Sequence, residues 1–302
     1  MKTLFAAVLL TFSAAAAVAG PYGSQSVLVV EDDTGKVLIE KNANTIVPIA
    51  SLTKLMTAMV VIDAKQDMSA PIYIEQGDVD MLKHSTSRVP VGAAISRQDV
   101  LQLALMSSDN RAAHSLGRTY PGGTAAFKAA VNAKIAALGM TQTKIEEPTG
   151  LSPNNKSTAA DMIKMAVAAS AYPEIARITT DSKDIINING RGVEYRNTNR
   201  LVGAKGWDIG LSKTGYTEEA GRCLIMRIKA AGKNATLVLL NAKASSVRVV
   251  DALSIRRFMT GDAAPVLARA QPRAHPRAEA RIMKASMRAR VAKNVKARHR
   301  RA

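Results

Sequence analysis

The chain has 302 residues, of which 47% are hydrophobic and 22% charged, a composition that supports a folded core and excludes a wholly disordered protein. The formal net charge is +18, and residues 263–302 hold 12 of the 42 Lys and Arg residues against a single acid, Glu279. The high charge therefore belongs largely to the C-terminal end. Cys223 is the only cysteine, so an internal disulfide is excluded, and its apolar neighbours favour a buried structural thiol.

The first 19 residues have the three-part pattern of a secretory signal peptide. Lys2 supplies a positive charge, residues 4–12 form a short apolar run, and Ala17-Val18-Ala19 matches a small-x-small cleavage site. The apolar run is too short for a transmembrane helix. The sequence thus predicts export and a mature chain that begins near Gly20. An exported chain is not expected to bind nucleic acid, whatever its charge.

The body of the chain, residues 20–262, combines β-rich ends with a helical middle. A hairpin is predicted over residues 26–39, where two β-rich runs flank Asp33-Thr34-Gly35, and a second strand pair over residues 222–228 and 235–240. Strands joined by short turns favour an antiparallel sheet, with helices on its faces or in a separate lobe, and hence an α+β fold. Helices are predicted over residues 51–64, 98–116 (one helix or a pair), 124–138, 159–171 and 245–259.

The last segment, residues 263–302, begins with a proline-containing, linker-like stretch. Met283, Met287, Val291 and Val295 then recur every four residues, the pattern of a basic amphipathic helix that can lie on an anionic membrane or wall polymer. A solvated, disordered basic tail is the alternative. The predicted organisation is therefore a signal peptide (1–19), one folded domain (20–262) and a basic tail (263–302).

The first candidate motif, Ser51-Leu52-Thr53-Lys54, opens the helix predicted over residues 51–64. Residues three apart share a helix face, so Ser51 and Lys54 can meet. The positive end of the helix dipole favours an alkoxide and disfavours an ammonium, so a lysine with a lowered pKa can take the serine proton. Taken alone, the motif more often marks a helix cap followed by a solvated lysine.

The second motif, Ser108-Asp109-Asn110, occupies the polar centre of the region predicted to contain one helix or a pair. If the backbone bends there, Ser108 and Asn110 can project into one cleft. Ser108 can then pass on a proton, and Asn110 can hold a substrate amide. The alternative is a helix-breaking polar turn.

The third motif, Lys213-Thr214-Gly215, comes just before the C-terminal strand pair. On a strand edge, Lys213 and Thr214 alternate in facing, and Gly215 lets a substrate backbone come close. The alternative is a simple turn that enters the hairpin. Each motif is weak alone, but the ordered set on these elements is specific.

The three motifs in this order resemble those of the serine D-alanyl-D-alanine peptidases, the low-molecular-mass penicillin-binding proteins. The stretches SLTKLMTAMVVIDA, ALMSSDNRAAHSLGRTYPGG and LSKTGYTEEAGRCLIMR are similar to the D-alanyl-D-alanine endopeptidase branch, penicillin-binding protein 7. The resemblance covers about residues 26–261. It implies a fold like that of the serine β-lactamases and these peptidases, with an antiparallel sheet flanked by helices plus a helical lobe.

The resemblance implies catalytic roles for four residues. Ser51 would form an acyl-enzyme after Lys54 takes its proton. Ser108 and Asn110 would complete the proton relay and hold the substrate.

It also implies a substrate-binding role for Lys213, Thr214, Gly215 and Tyr216. Lys213 and Thr214 would bind the terminal carboxylate of the substrate or an equivalent group. The backbone N–H groups of Ser51 and Tyr216 would form the oxyanion hole.

The implied activity is hydrolysis of D-alanyl cross-links in peptidoglycan by a periplasmic endopeptidase that binds β-lactam antibiotics. A D-alanyl-D-alanine carboxypeptidase that trims pentapeptide stems is the alternative. A β-lactamase would need a glutamate to activate water, for which Glu146-Glu147 must be considered. A non-catalytic wall-binding protein would be expected to lack one of the motif side chains.

No metal or other cofactor is expected. The four histidines, His84, His114, His275 and His299, show no spacing typical of metal ligands. His114 is expected on a helix surface.

Overall fold

The computed structural model describes residues 22–262. The predicted signal peptide, 1–19, and the predicted basic tail, 263–302, lie outside the described residues. Within residues 22–262, none of the helices combines the length and apolar character needed to traverse a bilayer.

The elements alternate between strands and helices along the chain. The strands are β1 (Ser26–Glu31), β2 (Val37–Lys41), β3 (Val47–Pro48), β4 (Pro71–Tyr73), β5 (Ala94–Ser96), β6 (Lys156–Ser157), β7 (Lys183–Ile188), β8 (Arg191–Arg196), β9 (Asp208–Thr217), β10 (Gly221–Ala230) and β11 (Lys233–Ala242). The helices are α1 (Thr53–Asp63), α2 (Arg97–Met106), α3 (Asn110–Arg118), α4 (Gly123–Ala137), α5 (Ala159–Ser170), α6 (Pro173–Thr180) and α7 (Ser245–Thr260).

A five-stranded antiparallel sheet forms the centre of the domain, with the strand order β2-β1-β11-β10-β9. Both faces are covered, so consecutive residues of the inner strands enter two different hydrophobic clusters. Leu28 and Val238 belong to the cluster shared with most helices, whereas Val27 and Leu237 belong to the cluster that contains Ile255 of α7. Burial on both faces explains why β1 and β11 are nearly continuous apolar runs instead of alternating ones.

Helix α1 is the buried axis of the helical part. Every residue from Thr53 to Val61 is buried, because α2 to α6 pack around α1. A helix that is apolar on all sides is stable only in such a position. The predicted start at Ser51 lies in a 3₁₀ turn, Ala50–Leu52, which leads directly into α1.

The region 98–116 contains a helix pair, one of the two predicted possibilities. Asp109 begins α3, with its carboxylate accepting a hydrogen bond from the Ala112 N–H at 3.0 Å. Thr158 caps α5 in the same way, since its Oγ1 accepts a hydrogen bond from the Asp161 N–H at 3.1 Å. Side-chain caps of this kind satisfy N–H groups that a helix start leaves unpaired.

Several elements in the middle of the chain were not predicted, namely α6, the β7–β8 hairpin and the short strands β3, β4, β5 and β6. The hairpin turns at Asn189 (φ 52°) and Gly190 (φ 80°), a pair typical of a tight two-residue turn. The expectation of helices alone between the terminal β regions was therefore wrong. Charged residues along both strands weakened the apolar signal, although the Asn-Gly pair was present in the sequence.

The third motif lies on an edge strand that precedes the β10–β11 pair, as expected. Residues 213–215 are part of β9, a ten-residue strand whose full length was not predicted. Strands β9, β10 and β11 lie side by side, and in the β9–β10 register Lys213 is opposite Ile225 and Gly215 is opposite Cys223. Polar residues and two glycines in β9 masked its strand character.

Candidate active site

Ser51 and Lys54 meet at the junction of the 3₁₀ turn and α1. Lys54 Nζ donates a hydrogen bond to Ser51 Oγ at 2.8 Å, as the i, i+3 spacing predicted. Ala50, just before the serine, has a φ of 48°, a left-handed conformation that residues with a side chain rarely adopt. Such backbone strain is maintained only where surrounding contacts enforce it, and it is common at functional sites.

The Lys54 ammonium is enclosed by three acceptors. Besides Ser51 Oγ, it donates to Asn110 Oδ1 at 2.7 Å and to the Thr149 carbonyl oxygen at 2.7 Å. The side chain is almost completely buried. Lys54 is therefore held in one orientation against the serine that it would deprotonate.

Burial is the main reason why the pKa of Lys54 is lowered from 10.5 to about 8. The sequence analysis attributed a lowered pKa to the helix dipole, but desolvation of the ammonium is the leading cause here. The carboxylates of Glu147, Asp109 and Asp80 act in the opposite direction and raise the pKa. An amine with a pKa near neutrality can act as a general base, which an ordinary lysine cannot do.

The second motif forms the predicted bend between α2 and α3. Ser108 has a φ of 61°, so the backbone turns sharply between α2 and α3. The side chains of Ser108 and Asn110 therefore contact different partners. Asn110 contacts Lys54, whereas Ser108 Oγ accepts a hydrogen bond from Lys213 Nζ at 2.8 Å. The bend thus connects the first motif to the third.

Lys213 lies buried on β9 beside this bend. Its ammonium also donates to the Thr214 carbonyl oxygen at 3.0 Å. Burial lowers the pKa of Lys213 well below its ordinary value, and the nearby cations Lys54 and Arg248 lower it further. Thr214 Oγ1 donates to Thr198 Oγ1 at 2.6 Å.

Gly215 allows two main-chain segments to approach each other closely. A Cβ at this position would lie 3.0 Å from the Ile49 carbonyl oxygen and 3.2 Å from the Ser51 nitrogen. The missing side chain therefore lets β9 pack against the turn that carries Ser51, and the predicted approach of a substrate backbone stays a prediction. This approach brings the Gly215–Tyr216 peptide close to the Ser51 amide, the arrangement that the predicted oxyanion hole requires.

Tyr216 itself is half exposed, with the Arg222 guanidinium stacked 3.4 Å from its ring centre. The seven predicted site residues on the three motifs, together with Tyr216, thus lie around one cluster centred on the two lysines. Their roles in catalysis and binding stay predictions.

A loop that the sequence did not reveal holds Lys54 from the side opposite Ser51. The Glu147 carboxylate accepts hydrogen bonds from the Thr149 N–H and Oγ1 (2.7 and 2.5 Å), the Gly150 N–H (2.7 Å) and Asn155 Nδ2 (2.9 Å), and a longer one from the Ser152 N–H (3.2 Å). These bonds fix the Thr149 carbonyl that Lys54 contacts. The sequence drew attention to Glu147 only as a possible water-activating residue, and its link to the lysine was not predicted.

Glycine is required at position 150 of this loop. Its φ is 87°, and a Cβ there would lie 1.9 Å from the Ala50 carbonyl oxygen. The loop therefore packs backbone to backbone against the strained residue before Ser51. A Pro-Thr-Gly sequence is the available signal for such a close approach.

A second missed contact orients Asn110. Its Nδ2 donates to Ser85 Oγ at 2.8 Å, and Ser85 Oγ donates to the Asp80 carboxylate at 2.6 Å. With the amide nitrogen engaged, Asn110 Oδ1 points to Lys54. The residues of this hydrogen-bonded series, from Asp80 to Lys54, are too far apart in sequence and too common in type to be recognised without the fold.

Neither His114 nor Cys223 belongs to the cluster around Lys54, and each has a different environment. His114 Nδ1 lies 2.8 Å from the buried Asp78 carboxylate, on the partly exposed face of α3. Cys223 is fully buried, which raises the pKa of its thiol to about 11. Over residues 22–262, no cluster of His, Cys, Asp and Glu is suited to a metal ion.

Comparison with known proteins places this geometry in a family. Residues 13–244 match the family described as D-alanyl-D-alanine carboxypeptidase. A D-alanyl-D-alanine endopeptidase of Pseudomonas aeruginosa is 45% identical over 251 residues, which are 82% of this chain and 81% of that protein. A protein of the same name from Escherichia coli is 41% identical over 267 residues, 87% and 86% of the two chains.

Among solved structures, the DD-transpeptidase of Streptomyces K15 is similar with a TM-score of 0.75 at 23% identity. The match covers 81% of this chain and 99% of that one. This likeness concerns the fold, and it confirms the predicted α+β architecture.

The lowered pKa of Lys54 predicts a pH dependence for acylation. Only the neutral amine can take the Ser51 proton, so acylation by a penicillin should rise about tenfold per pH unit below pH 8 and level off above it. The measurement is the rate of labelling by a fluorescent penicillin across this range, with circular dichroism as the control for an intact fold. A profile that is flat up to pH 8, or one that rises only near pH 10.5, would contradict the role of Lys54.

Replacement of Glu147 by Gln should weaken the loop that holds Lys54 and change the pKa of Lys54. All five groups that face the carboxylate are donors, so the amide nitrogen would oppose some of them, and the free energy of unfolding should fall by about 1.5–3 kcal/mol. Loss of the negative charge lowers the pKa of Lys54 further, so the midpoint of the pH–acylation profile should move to lower pH.

The neighbouring Glu146→Gln is the matched control for this variant. Glu146 pairs mainly with the exposed Lys144, a kind of contact that adds little to stability, so Glu146→Gln should leave both the free energy of unfolding and the midpoint close to those of the parent protein. The loop role of Glu147 is refuted if Glu147→Gln is as stable as the parent protein and titrates at the same pH.

Proposed function

The chain belongs to the D-alanyl-D-alanine carboxypeptidase family, and we propose that it is a serine D-alanyl-D-alanine endopeptidase, which hydrolyses D-alanyl cross-links of peptidoglycan. The observation that carries the proposal is the contact of the buried Lys54 amine with Ser51 Oγ at 2.8 Å. Covalent inhibition by β-lactams follows from the same chemistry, because these compounds acylate the serine of such enzymes.

The reaction begins with transfer of the Ser51 hydroxyl proton to neutral Lys54. The Ser51 oxygen attacks the carbonyl carbon of a D-alanyl residue, and the C–N bond breaks as the leaving amine receives, through the Ser108 hydroxyl, the proton that Lys54 had taken. Water then attacks the acyl-enzyme ester while the neutral Lys54 accepts a proton from it; the ester C–O bond breaks, Lys54 returns the proton to the Ser51 oxygen, and the product leaves with a free carboxyl group. The Lys213–Ser108 contact at 2.8 Å holds the Ser108 hydroxyl in position for this relay.

Lys213 has a second task in this scheme. Its pKa is lowered by burial, and a substrate carboxylate placed beside Thr214 would offset that loss of solvation. Binding of the anion therefore favours the charged form of Lys213. This coupling makes the site selective for a substrate that brings a negative charge near the cleaved bond.

The choice of endopeptidase over carboxypeptidase rests on the relatives. Two proteins named D-alanyl-D-alanine endopeptidase match more than four fifths of this chain at 45% and 41% identity. Release of terminal D-alanine from pentapeptide stems is the second candidate, because the family as a whole carries the carboxypeptidase description.

A β-lactamase is disfavoured by the contacts of the two glutamates that it would use. Both Glu147 oxygens accept hydrogen bonds from the loop, and Glu146 pairs with Lys144. Neither is arranged to activate water. A non-catalytic protein is disfavoured because every motif side chain is present and in contact.

The deciding assay compares two substrates of equal concentration, a cross-linked dimer muropeptide and a pentapeptide monomer. The proposal predicts that the dimer is cleaved to monomers with a higher kcat/KM than that for D-alanine release from the pentapeptide. Ser51→Ala should abolish both reactions. Fast D-alanine release with the dimer left intact would overturn the endopeptidase assignment and leave the acyl-enzyme chemistry in place.

We further propose that the protein acts in the periplasm and that residues 263–302 hold it against an anionic membrane or wall polymer. The support is the signal-peptide pattern of residues 1–19 and the 12 basic residues of the tail. The motif residues all precede the tail, so the tail would affect location and not chemistry.

A comparison of the full chain with a chain that ends at Asp262 tests the tail. The full chain should bind vesicles that contain anionic phosphatidylglycerol at low salt and dissociate as the salt concentration rises, because screening weakens such contacts. The shorter chain should stay unbound and keep its activity on soluble muropeptides, and neutral vesicles are the control. Equal binding of both chains at low salt would exclude this role.

A further inference from the structure

The turn that follows β9 lies at one end of the site. Strand β9 carries Thr214 and Tyr216 and ends at Thr217, and Glu219 is in the turn that leads to β10. Since β9 is the edge strand of the five-stranded sheet, an extended peptide can lie along it as an added strand. The position of each part of the substrate along β9 therefore follows from the roles proposed for Thr214 and Tyr216.

Those roles give the substrate a direction along the strand. Thr214 would hold the carboxylate of the leaving residue, and the Tyr216 N–H would hold the oxygen of the cleaved carbonyl. The leaving side of the bond therefore lies toward Thr214, and the acyl side continues past Thr217 toward Glu219. An extended chain advances about 3.4 Å per residue, so the residue that precedes the attacked D-alanine lies alongside the end of β9, with its side chain within reach of the turn.

Lys83 reaches this turn from a distant part of the chain and forms an ion pair with Glu219. Ser85, two residues after Lys83, accepts a hydrogen bond from Asn110 Nδ2 at 2.8 Å, and Asn110 Oδ1 in turn accepts one from Lys54. The ion pair thus lies beside the catalytic cluster, and it joins the two segments that border the acyl side of the site.

The loop that carries Lys83 is fixed by Asp80. The Asp80 carboxylate accepts hydrogen bonds from the N–H groups of Leu82 (2.8 Å), Lys83 (3.0 Å) and Ser85 (2.8 Å). The side chains of Lys83 and Glu219 are 31% and 38% exposed, so a ligand can reach both of them. A surface ion pair adds little to stability, but this one presents a positive and a negative charge side by side next to the nucleophile.

The substrate can carry a matching pair of charges at this position. In a direct D-alanyl cross-link, the D-alanyl carbonyl is bonded to the side-chain amine of a diamino acid in the neighbouring stem. The equivalent diamino acid of the donor stem, the stem whose carbonyl is attacked, immediately precedes the D-alanine and has a free side-chain end. Where that end bears a carboxyl group beside the amine, it presents a carboxylate and an ammonium together near neutral pH.

We infer that Lys83 and Glu219 form a specificity site for the donor stem, in which Lys83 binds the free carboxylate of this diamino acid and Glu219 binds its ammonium. The inference rests on the proposed peptidase function and names a group ahead of the cleaved bond that the enzyme selects. Four alternating charges attract one another without loss of the Lys83–Glu219 contact, and partial shielding from water strengthens the attraction. The carboxylate of the leaving residue is a different group and stays with Lys213 and Thr214.

The test uses three cross-linked dimers that differ only at the side-chain end of the donor diamino acid. The first has the free ammonium and carboxylate, the second has a carboxamide in place of the carboxylate, and the third has an N-acetyl group on the amine. The parent protein should cleave the first dimer with a kcat/KM about 5- to 10-fold higher than either of the others, between the effects of an exposed ion pair and a buried charged hydrogen bond. Lys83→Ala should lose the preference over the carboxamide dimer, and Glu219→Ala the preference over the acetylated dimer.

Each readout is a ratio between two substrates on one variant, so a general loss of acylation cancels. Lys233→Ala is the matched control, because Lys233 also forms an ion pair, with Glu31, but at the opposite end of β10 from Glu219. This control should keep both preferences. A parent protein that cleaves all three dimers equally well, or single variants that retain both preferences, would overturn the inference and leave the endopeptidase function in place.

Pentapeptide stems separate the inference from the endopeptidase assignment. The same diamino acid precedes the attacked D-alanine in a pentapeptide, so three pentapeptides with the same three side-chain ends should show the same ratios of kcat/KM. Inert dimers, together with pentapeptides that release D-alanine in these ratios, would refute the endopeptidase assignment and support the inference. If neither dimers nor pentapeptides are cleaved, the proposed function and the inference both fail.

Discussion

The burial of the Lys54 amine against Ser51 is the constraint on which the rest of the site depends. A lysine removed from water is destabilised in its charged form, and the protein keeps it there only by surrounding it with acceptors. The same burial brings its pKa to about 8, where an amine can both accept and release a proton. Burial of Lys54 therefore costs folding stability and gives its amine the reactivity of a general base.

Three separate parts of the chain converge to hold that lysine. The bend at Ser108 brings Asn110 to it, the loop anchored by Glu147 brings the Thr149 carbonyl, and the 3₁₀ turn brings Ser51. Each part has an unusual backbone conformation or a close contact that only glycine permits. Ala50 and Ser108 are left-handed, and Gly150 and Gly215 let the main chain approach the nucleophile turn from two sides.

These parts of the structure differ in how far the sequence alone could predict them. The residues of the three motifs, the β1–β2 hairpin and the long helices have local signals, since spacing along a helix, caps and apolar runs depend on near neighbours. The Glu147 loop has only its Pro-Thr-Gly signal, and the chain from Asp80 through Ser85 to Asn110 has none, because the contacts of both with Lys54 join residues far apart in sequence. The close approach of Gly215 to Ile49 and Ser51 is likewise visible only in three dimensions.

The central claim is that Ser51, made nucleophilic by Lys54, carries the acyl group. The most direct measurement is to expose the full chain to a penicillin, digest the trapped adduct and locate the added mass by tandem mass spectrometry. The account predicts one penicilloyl group, on the Ser51 side chain, and no adduct over the same time in a folded Lys54→Ala variant. An adduct on Ser108 or any other residue, or full labelling of the Lys54→Ala variant, would contradict it.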